Sequence, residues 1–254
     1  MPSLFSDARM AAGYAAARPP VHPLVVERAR PWLGGAPRRL VVDLGCGAGL
    51  STRPLVPLGQ CVVGIDPAPV MVAAASQVVK GARFAVGTAE ALPLRAHSVD
   101  LLAAAGSLNY VDPGAAFDEA ARVLGPDGAL LAYDFSPGRT IRGTPTLDAW
   151  FEAFMRRYPP PRDNALPLDP SVLAGVSPRF RLAHATEFDV GLPLTRDAYT
   201  AYVLTETNVQ DALTRGHHLD DVCAWVSASL APVFGDDARE VRFRGYVALL
   251  RPWP

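Results

Sequence analysis

The stretch Val41-Val42-Asp43-Leu44-Gly45-Cys46-Gly47-Ala48-Gly49-Leu50 decides the reading of this chain. An apolar run carrying one acid passes straight into three alternating glycines, the pattern of a buried strand that ends in a sharp turn. Glycines let the backbone turn tightly and let a ligand approach where a Cβ would intrude. A dinucleotide loop needs G-x-G-x-x-G with pyrophosphate on the following helix N-terminus, and counting from Gly45 the third glycine falls at position 50, which is Leu50. A nucleotide-dependent oxidoreductase is therefore disfavoured. Asp43, two residues before the first glycine, suits a cationic ligand better than a pyrophosphate. Taken alone, the same turn is also compatible with a tight connection that binds nothing.

Working outward, apolar runs at 40–44, 61–65, 82–86, 99–104 and 129–135 alternate with helical stretches. This is the order of a parallel sheet covered on both faces. One helix is expected over 70–79, opened by Pro67 and Pro69. Another is expected over 115–124, ended by a turn at Gly125-Pro126-Asp127-Gly128. From 136 to 178 prolines and glycines crowd around one aromatic helix at 150–158. A strand at 180–190, helices at 195–207 and 219–232 and a final strand at 241–250 follow. No internal repeat or low-complexity linker appears. The expectation is a single α/β domain over 1–254, a Rossmann-like, doubly wound, mostly parallel seven-stranded sheet whose last strand is antiparallel. Segments 136–178 and 195–233 form its helical cap.

Composition narrows the classes. The chain has 254 residues, 24 basic against 25 acidic side chains and a net charge of −1, so nucleic acid, which calls for a basic excess, is not the expected partner. Three cysteines without C-x-x-C spacing suggest neither a disulfide framework nor a thiolate metal site. No run approaches the ~20 apolar residues of a membrane span, and the protein is expected in the cytoplasm.

The quoted loop, with three further elements in order, resembles the class I S-adenosylmethionine-dependent methyltransferases, in particular the small-molecule branch that includes ubiquinone-biosynthesis and trans-aconitate methyltransferases. The resemblance implies that the cofactor is S-adenosyl-L-methionine. It implies that Asp43, Gly45, Cys46, Gly47 and Gly49 wrap its methionine part, with the acid facing the amino group. In Val63-Gly64-Ile65-Asp66-Pro67 the family's ribose-binding acid corresponds to Asp66, followed by Pro67, and the apolar residue on the adenine to Met71. A carboxylate suits two ribose hydroxyls because it offers two acceptor oxygens. Val86-Gly87-Thr88-Ala89-Glu90 matches the segment at the adenine edge, where many relatives carry Asp at the position of Thr88; Thr88 or Glu90 would serve instead, beside Ala89. Val99 onward through Ala105 to Asn109-Tyr110 matches the strand and turn beneath the methyl group. Relatives commonly have His where this chain has Asn109, so Asn109 is a positioning candidate that cannot take a proton. By the same analogy Tyr14 and Arg18 reach the methionine end.

The implied activity is methyl transfer to a small-molecule acceptor by in-line displacement, in which alignment is the main contribution, worth about 7–11 kcal/mol. A cofactor-binding protein without turnover is the alternative. Trp150, Phe154, Tyr199, Tyr202 and Glu206 are the candidate substrate residues, with ordinary core packing of the aromatic helix as an equal reading. His217-His218 beside Asp220 and Asp221 reads as a solvated loop before an Asp-capped helix, and no metal is expected. His97 is expected to be solvated, and His22 and His184 have no partner in sequence. The acceptor atom and the oligomeric state stay open.

Overall fold

The computed structural model describes residues 16–160 and 166–253. They form two compact units. The first comprises residues 20–135, 166–188 and 245–253; the second comprises 16–19, 136–160 and 189–244.

The first unit opens with α1 (Val21–Leu33), whose buried Val21, Val25, Val26, Ala29 and Leu33 make one helical stripe. The strands β1 (Arg38–Leu44), β2 (Gly59–Asp66), β3 (Arg83–Val86), β4 (Val99–Ala105) and β5 (Leu124–Phe135) follow. They lie in the order β3-β2-β1-β4-β5, all parallel. A 3-10 helix (Arg53–Leu58) links β1 to β2, α2 (Pro69–Val78) links β2 to β3, and α3 (Pro113–Val123) precedes β5. Val41, Val42, Leu101, Leu102, Ala103, Leu130 and Leu131 are all but inaccessible, as strands covered on both faces require. The chain runs from β1 to one side of the sheet and returns with β4 on the other. The carboxyl ends of β1 and β4 are thus the switch point at which open α/β sheets bind ligands.

Two more elements of this unit follow. A short helix, α5 (Pro170–Gly175), is capped by Asp169 through Ser171 N and Val172 N. The last residues of the final strand, β8 (Arg239–Pro252), pair antiparallel with β5, from Leu130↔Leu250 to Phe135↔Gly245. The antiparallel last strand is thus as expected. Among the described residues the sheet has eight strands where seven were expected, because a two-residue strand joins it.

That strand, β6 (Thr140–Ile141), belongs to the second unit, where it pairs with β8 at Thr140↔Arg242 and Ile141↔Val241. The long β7 (Phe180–Leu194), like β8, contributes residues to both units. The second unit is otherwise helical: α4 (Thr146–Arg157), α6 (Arg196–Val203), α7 (Thr207–Thr214) and α8 (Leu219–Phe234), with α8 packed on α4 and α6. Its core is aromatic. Trp150 stacks on Phe154 with centroids 5.2 Å apart and on Trp225 at 6.2 Å, and Tyr199 lies 5.2 Å from Phe234.

Three expectations are corrected. The turn expected at Gly125–Gly128 is an excursion inside β5: pairing starts at Val99↔Leu124 and resumes at Leu101↔Ala129, so the intervening residues loop out of the ladder. The single helix expected over 195–207 is two, because the backbone breaks at Leu204–Glu206, where the Thr205 hydroxyl bonds back to Tyr202 O at 2.7 Å. The Asp cap expected before the last helix is absent: His218 stands at that position without a side-chain cap, and Asp220 and Asp221 lie in the first turn.

Candidate functional site

The turn after β1 is built by three left-handed glycines, Gly45, Gly47 and Gly49, with φ of +67°, +51° and +88°. They do different work. A Cβ on Gly45 would overlap Ser107, and one on Gly49 would come to 2.7 Å from the Val79 side chain, so these two let neighbouring elements close in. A Cβ on Gly47 would meet nothing within 4 Å. The middle glycine faces open space, where a ligand can lie against the backbone. Gly45 N and Cys46 N both donate to Ile65 O, at 2.8 and 3.1 Å, which ties the turn to the end of β2.

At that end stands Asp66, 8% exposed. Its Oδ2 accepts from Gly47 N at 2.9 Å and its Oδ1 from Ala68 N at 2.9 Å. The carboxylate is thereby held rigidly, and it spends two of its roughly four lone-pair sites, leaving room for two hydroxyl donors. Burial raises its carboxyl above the usual range, opposed by the two amides.

Asp43, at the end of β1, is fully buried. Its Oδ2 accepts from Ser51 Oγ at 2.7 Å and Thr52 Oγ1 at 2.6 Å, while Oδ1 accepts no hydrogen bond from the described residues. Burial pushes this carboxyl up to about 6, with the nearby Asp66 charge adding and the two hydroxyls opposing. A buried acceptor without a donor is costly, and a cationic group is the partner that would satisfy it best. Ser51 and Thr52 escaped the sequence reading. The signal was there, two hydroxyl residues directly after the glycine loop, but which way they point is set only by the turn.

The other expected residues are placed as follows. Cys46 is buried, with its thiol pushed up by burial and then by Asp43 and Asp66, so it is no nucleophile. Met71 is buried in the first turn of α2, and Pro67 is exposed between Asp66 and α2. Ala89 is buried; Thr88 is exposed and bridges Ala91; Glu90 is exposed and accepts from Asp112 N at 3.3 Å. Ala105 ends β4 opposite Tyr133. Asn109, in the 3-10 turn Ser107–Tyr110, donates to Asp134 Oδ2 at 2.7 Å. Tyr14 lies outside the described residues.

In the second unit Arg18 pairs with Glu206 at 3.2 Å and lies 5.0 Å over the Tyr202 ring, so Glu206 is held by a guanidinium. Trp150, Phe154, Tyr199 and Tyr202 are 0–6% exposed; Trp150 Nε1 donates to Ser229 Oγ at 2.8 Å and the Tyr199 hydroxyl to Gly138 O at 2.6 Å. His22, without a partner in sequence, has its Nδ1 3.0 Å from the Tyr133 hydroxyl. His97 bonds Leu124 O at 3.1 Å, His184 stacks on Trp32, and His217 lies edge-on to Tyr158. Among the described residues no group of three or more His, Cys, Asp or Glu is arranged to hold a metal, and no helix is long and apolar enough to cross a membrane.

A glycine turn at the switch point of a mostly parallel sheet, with an acid closing each of two adjacent strands, is a Rossmann-like arrangement. Residues 42–132 match the model of the methyltransferase domain family. An uncharacterized methyltransferase of Mycobacterium tuberculosis, Rv3342, is 39% identical over 117 residues, 46% of each chain. The ubiquinone biosynthesis O-methyltransferase of Azorhizobium caulinodans is 33% identical over 107 residues, 40% of this chain and 42% of the relative. Each match thus spans less than half of the relative's length. Among solved structures, a protein of Anaeromyxobacter dehalogenans assigned as a type II methyltransferase superposes with a TM-score of 0.66 at 22% identity, over 87% of this chain and 94% of that one. A geranyl diphosphate methyltransferase solved with S-adenosylmethionine gives 0.52 at 15% identity, over 91% and 85%.

Proposed function

We propose that this protein is an S-adenosylmethionine-dependent methyltransferase acting on a small-molecule acceptor. The observation that carries the reading is the clasp of Gly47 and Asp66 beside the unpartnered Oδ1 of Asp43. That set fits the cofactor's chemistry: Asp66 takes the ribose hydroxyls, Gly47 lets the chain of atoms pass along the backbone, and Asp43 faces the ammonium. Met71 and Ala89 flank the adenine, with Thr88 and Glu90 at its edge. The bound cofactor supplies a methyl group already activated on a sulfonium. The chain then has to hold donor and acceptor in line, and Asn109 in the turn after β4 orients the acceptor without taking its proton. We place the protein in the cytoplasm, where its three unpaired cysteines stay reduced. We regard 1–254 as one methyltransferase domain whose segments 136–178 and 195–233 form a helical, substrate-covering cap. The test is mass spectrometry of a native extract incubated with the protein and methyl-labelled cofactor, alongside calorimetry of cofactor binding. A labelled small molecule is expected; absence of cofactor binding would overturn the proposal.

The Asp43 carboxyl gives this reading a pH signature. Its folded value, about 6, lies above the ordinary 3.8, so the folded protein holds this proton more tightly than the unfolded chain does. The charge on Asp43 therefore costs stability above about pH 6, and the cost fades as pH falls toward 3.8. By linkage it amounts to about 3 kcal/mol at most. Chemical denaturation should show Asp43→Asn gaining on the parent between pH 4.5 and pH 7.5. Cofactor binding should run the other way in the parent, weakening as pH falls through about 6, and lose that dependence in Asp43→Asn. A flat difference between the two proteins across this range would show that the carboxyl titrates elsewhere.

A further inference from the structure

The carboxyl ends of β4 and β5 carry a second acidic device that the sequence does not announce. Gly106 closes β4 in the left-handed conformation, φ +68°, and a Cβ there would come within 3.0 Å of Asp134 Oδ1. The Asp134 carboxylate thus lies directly on the turn that begins the Ser107–Tyr110 segment. Its Oδ1 accepts from Phe135 N at 2.8 Å and its Oδ2 from Asn109 Nδ2 at 2.7 Å. Asn109 is fixed from its main chain too, because its carbonyl accepts from Leu166 N at 2.8 Å.

An ionised carboxylate only accepts hydrogen bonds, so it dictates which way the Asn109 amide faces: the NH2 group meets Asp134 and the carbonyl oxygen points away. That oxygen accepts no hydrogen bond from the described residues. Asn109 therefore presents an acceptor backed by a half-buried negative charge. No arginine or lysine pairs with Asp134 among the described residues. Tyr246 is its cross-strand partner, and the charges acting on Tyr246 are Asp134 and Asp169, both acidic. The same turn is joined to the glycine loop, for Ser107 Oγ donates to Leu44 O and Ser107 fills the space that a Cβ on Gly45 would need.

We propose that Asn109 and Asp134 select the methyl acceptor, admitting a hydroxyl or amine that donates a hydrogen bond to Asn109 Oδ1 and rejecting carboxylates. This rests on the glycine loop being the methyl-donor site, since that is what places the turn beside the reacting methyl. Asn109 touches the acceptor. Asp134 is a positioning residue that works through the amide it orients and the charge it adds.

Three probes of nearly equal size separate the alternatives: benzyl alcohol, benzylamine and benzoate, titrated by NMR into the protein with and without S-adenosylhomocysteine. The protonated amine, a charged donor, should bind about tenfold or more tightly than benzoate, and the neutral alcohol, whose hydrogen bond is weaker, about threefold or more. Asp134→Asn should bring the three within about threefold of one another while the S-adenosylhomocysteine dissociation constant holds. Asn109→Ala should do the same without a change in β5. The proposal is overturned if benzoate binds as well as benzylamine, if the preference survives in both variants, or if none of the three binds. Failure of the cofactor reading shows separately, as loss of S-adenosylhomocysteine binding in the parent while the probe ranking is still measurable.

Discussion

Replacing Asp66 by alanine should weaken S-adenosylmethionine binding by about a hundredfold or more. On the proposed function two hydroxyl hydrogen bonds to this carboxylate are at stake, each worth ~1.5–3 kcal/mol, and tenfold in affinity corresponds to about 1.4 kcal/mol. The variant also releases Gly47 N and Ala68 N, which Asp66 now holds at 2.9 Å each, so the loop loses its brace together with the proposed ligand contacts. Asp66→Asn separates these effects. An amide keeps one acceptor oxygen and most of the shape, and it should fall between the parent and alanine. Calorimetry decides: an Asp66→Ala protein that binds the cofactor as tightly as the parent removes the ribose assignment and, with it, the proposed function.

Trp150→Ala should lower the stability of the second unit by about 3–5 kcal/mol, the usual cost of emptying a large aromatic site. The indole stacks on Phe154, lies within 6.2 Å of Phe151, Tyr199 and Trp225, and donates to Ser229 Oγ. For a chain of this size the loss corresponds to a melting temperature lower by roughly 6–20 °C. A wall of an acceptor site behaves differently, losing transfer with little change in melting. The contrast discriminates the two readings of the aromatic helix, and an unchanged melting temperature would remove Trp150 from the core. Cofactor affinity should hold in either case, because the glycine loop and both strand-end acids belong to the other unit.

What could be read from the chain followed the physics of each element. Buried parallel strands are continuous apolar runs bounded by glycine or proline, so β1 through β5 were visible within a few residues. The glycine loop was visible because left-handed turns leave glycines at fixed spacing. The first helix was harder: Pro23 and Pro31 both lie in Val21–Leu33 and punctuate it, yet its buried stripe still forms. The break between α6 and α7 has no breaker residue. There the Thr205 hydroxyl bonds back to Tyr202 O, and Glu206 is held by Arg18, a contact that only the folded chain makes. The partnership of Asn109 with Asp134 joins positions 25 apart on neighbouring strand ends, and that of His22 with Tyr133 spans 111 residues. Register alone creates such pairs, and no local pattern in the sequence encodes them.

The antiparallel pairing of β5 with residues 245–250 also bears on how the protein is made. On a ribosome, β1 to β5 emerge in order and can assemble early, since their parallel ladders draw only on residues 38–135. The outer side of β5, Leu130-Leu131-Ala132-Tyr133-Asp134-Phe135, then waits for more than a hundred further residues before its partner is synthesised. For that interval it is an unprotected, largely apolar sheet edge, the kind of template that invites intermolecular pairing. Nascent chains stalled before residue 245 should therefore be the aggregation-prone species, and chaperone dependence should end when β8 docks.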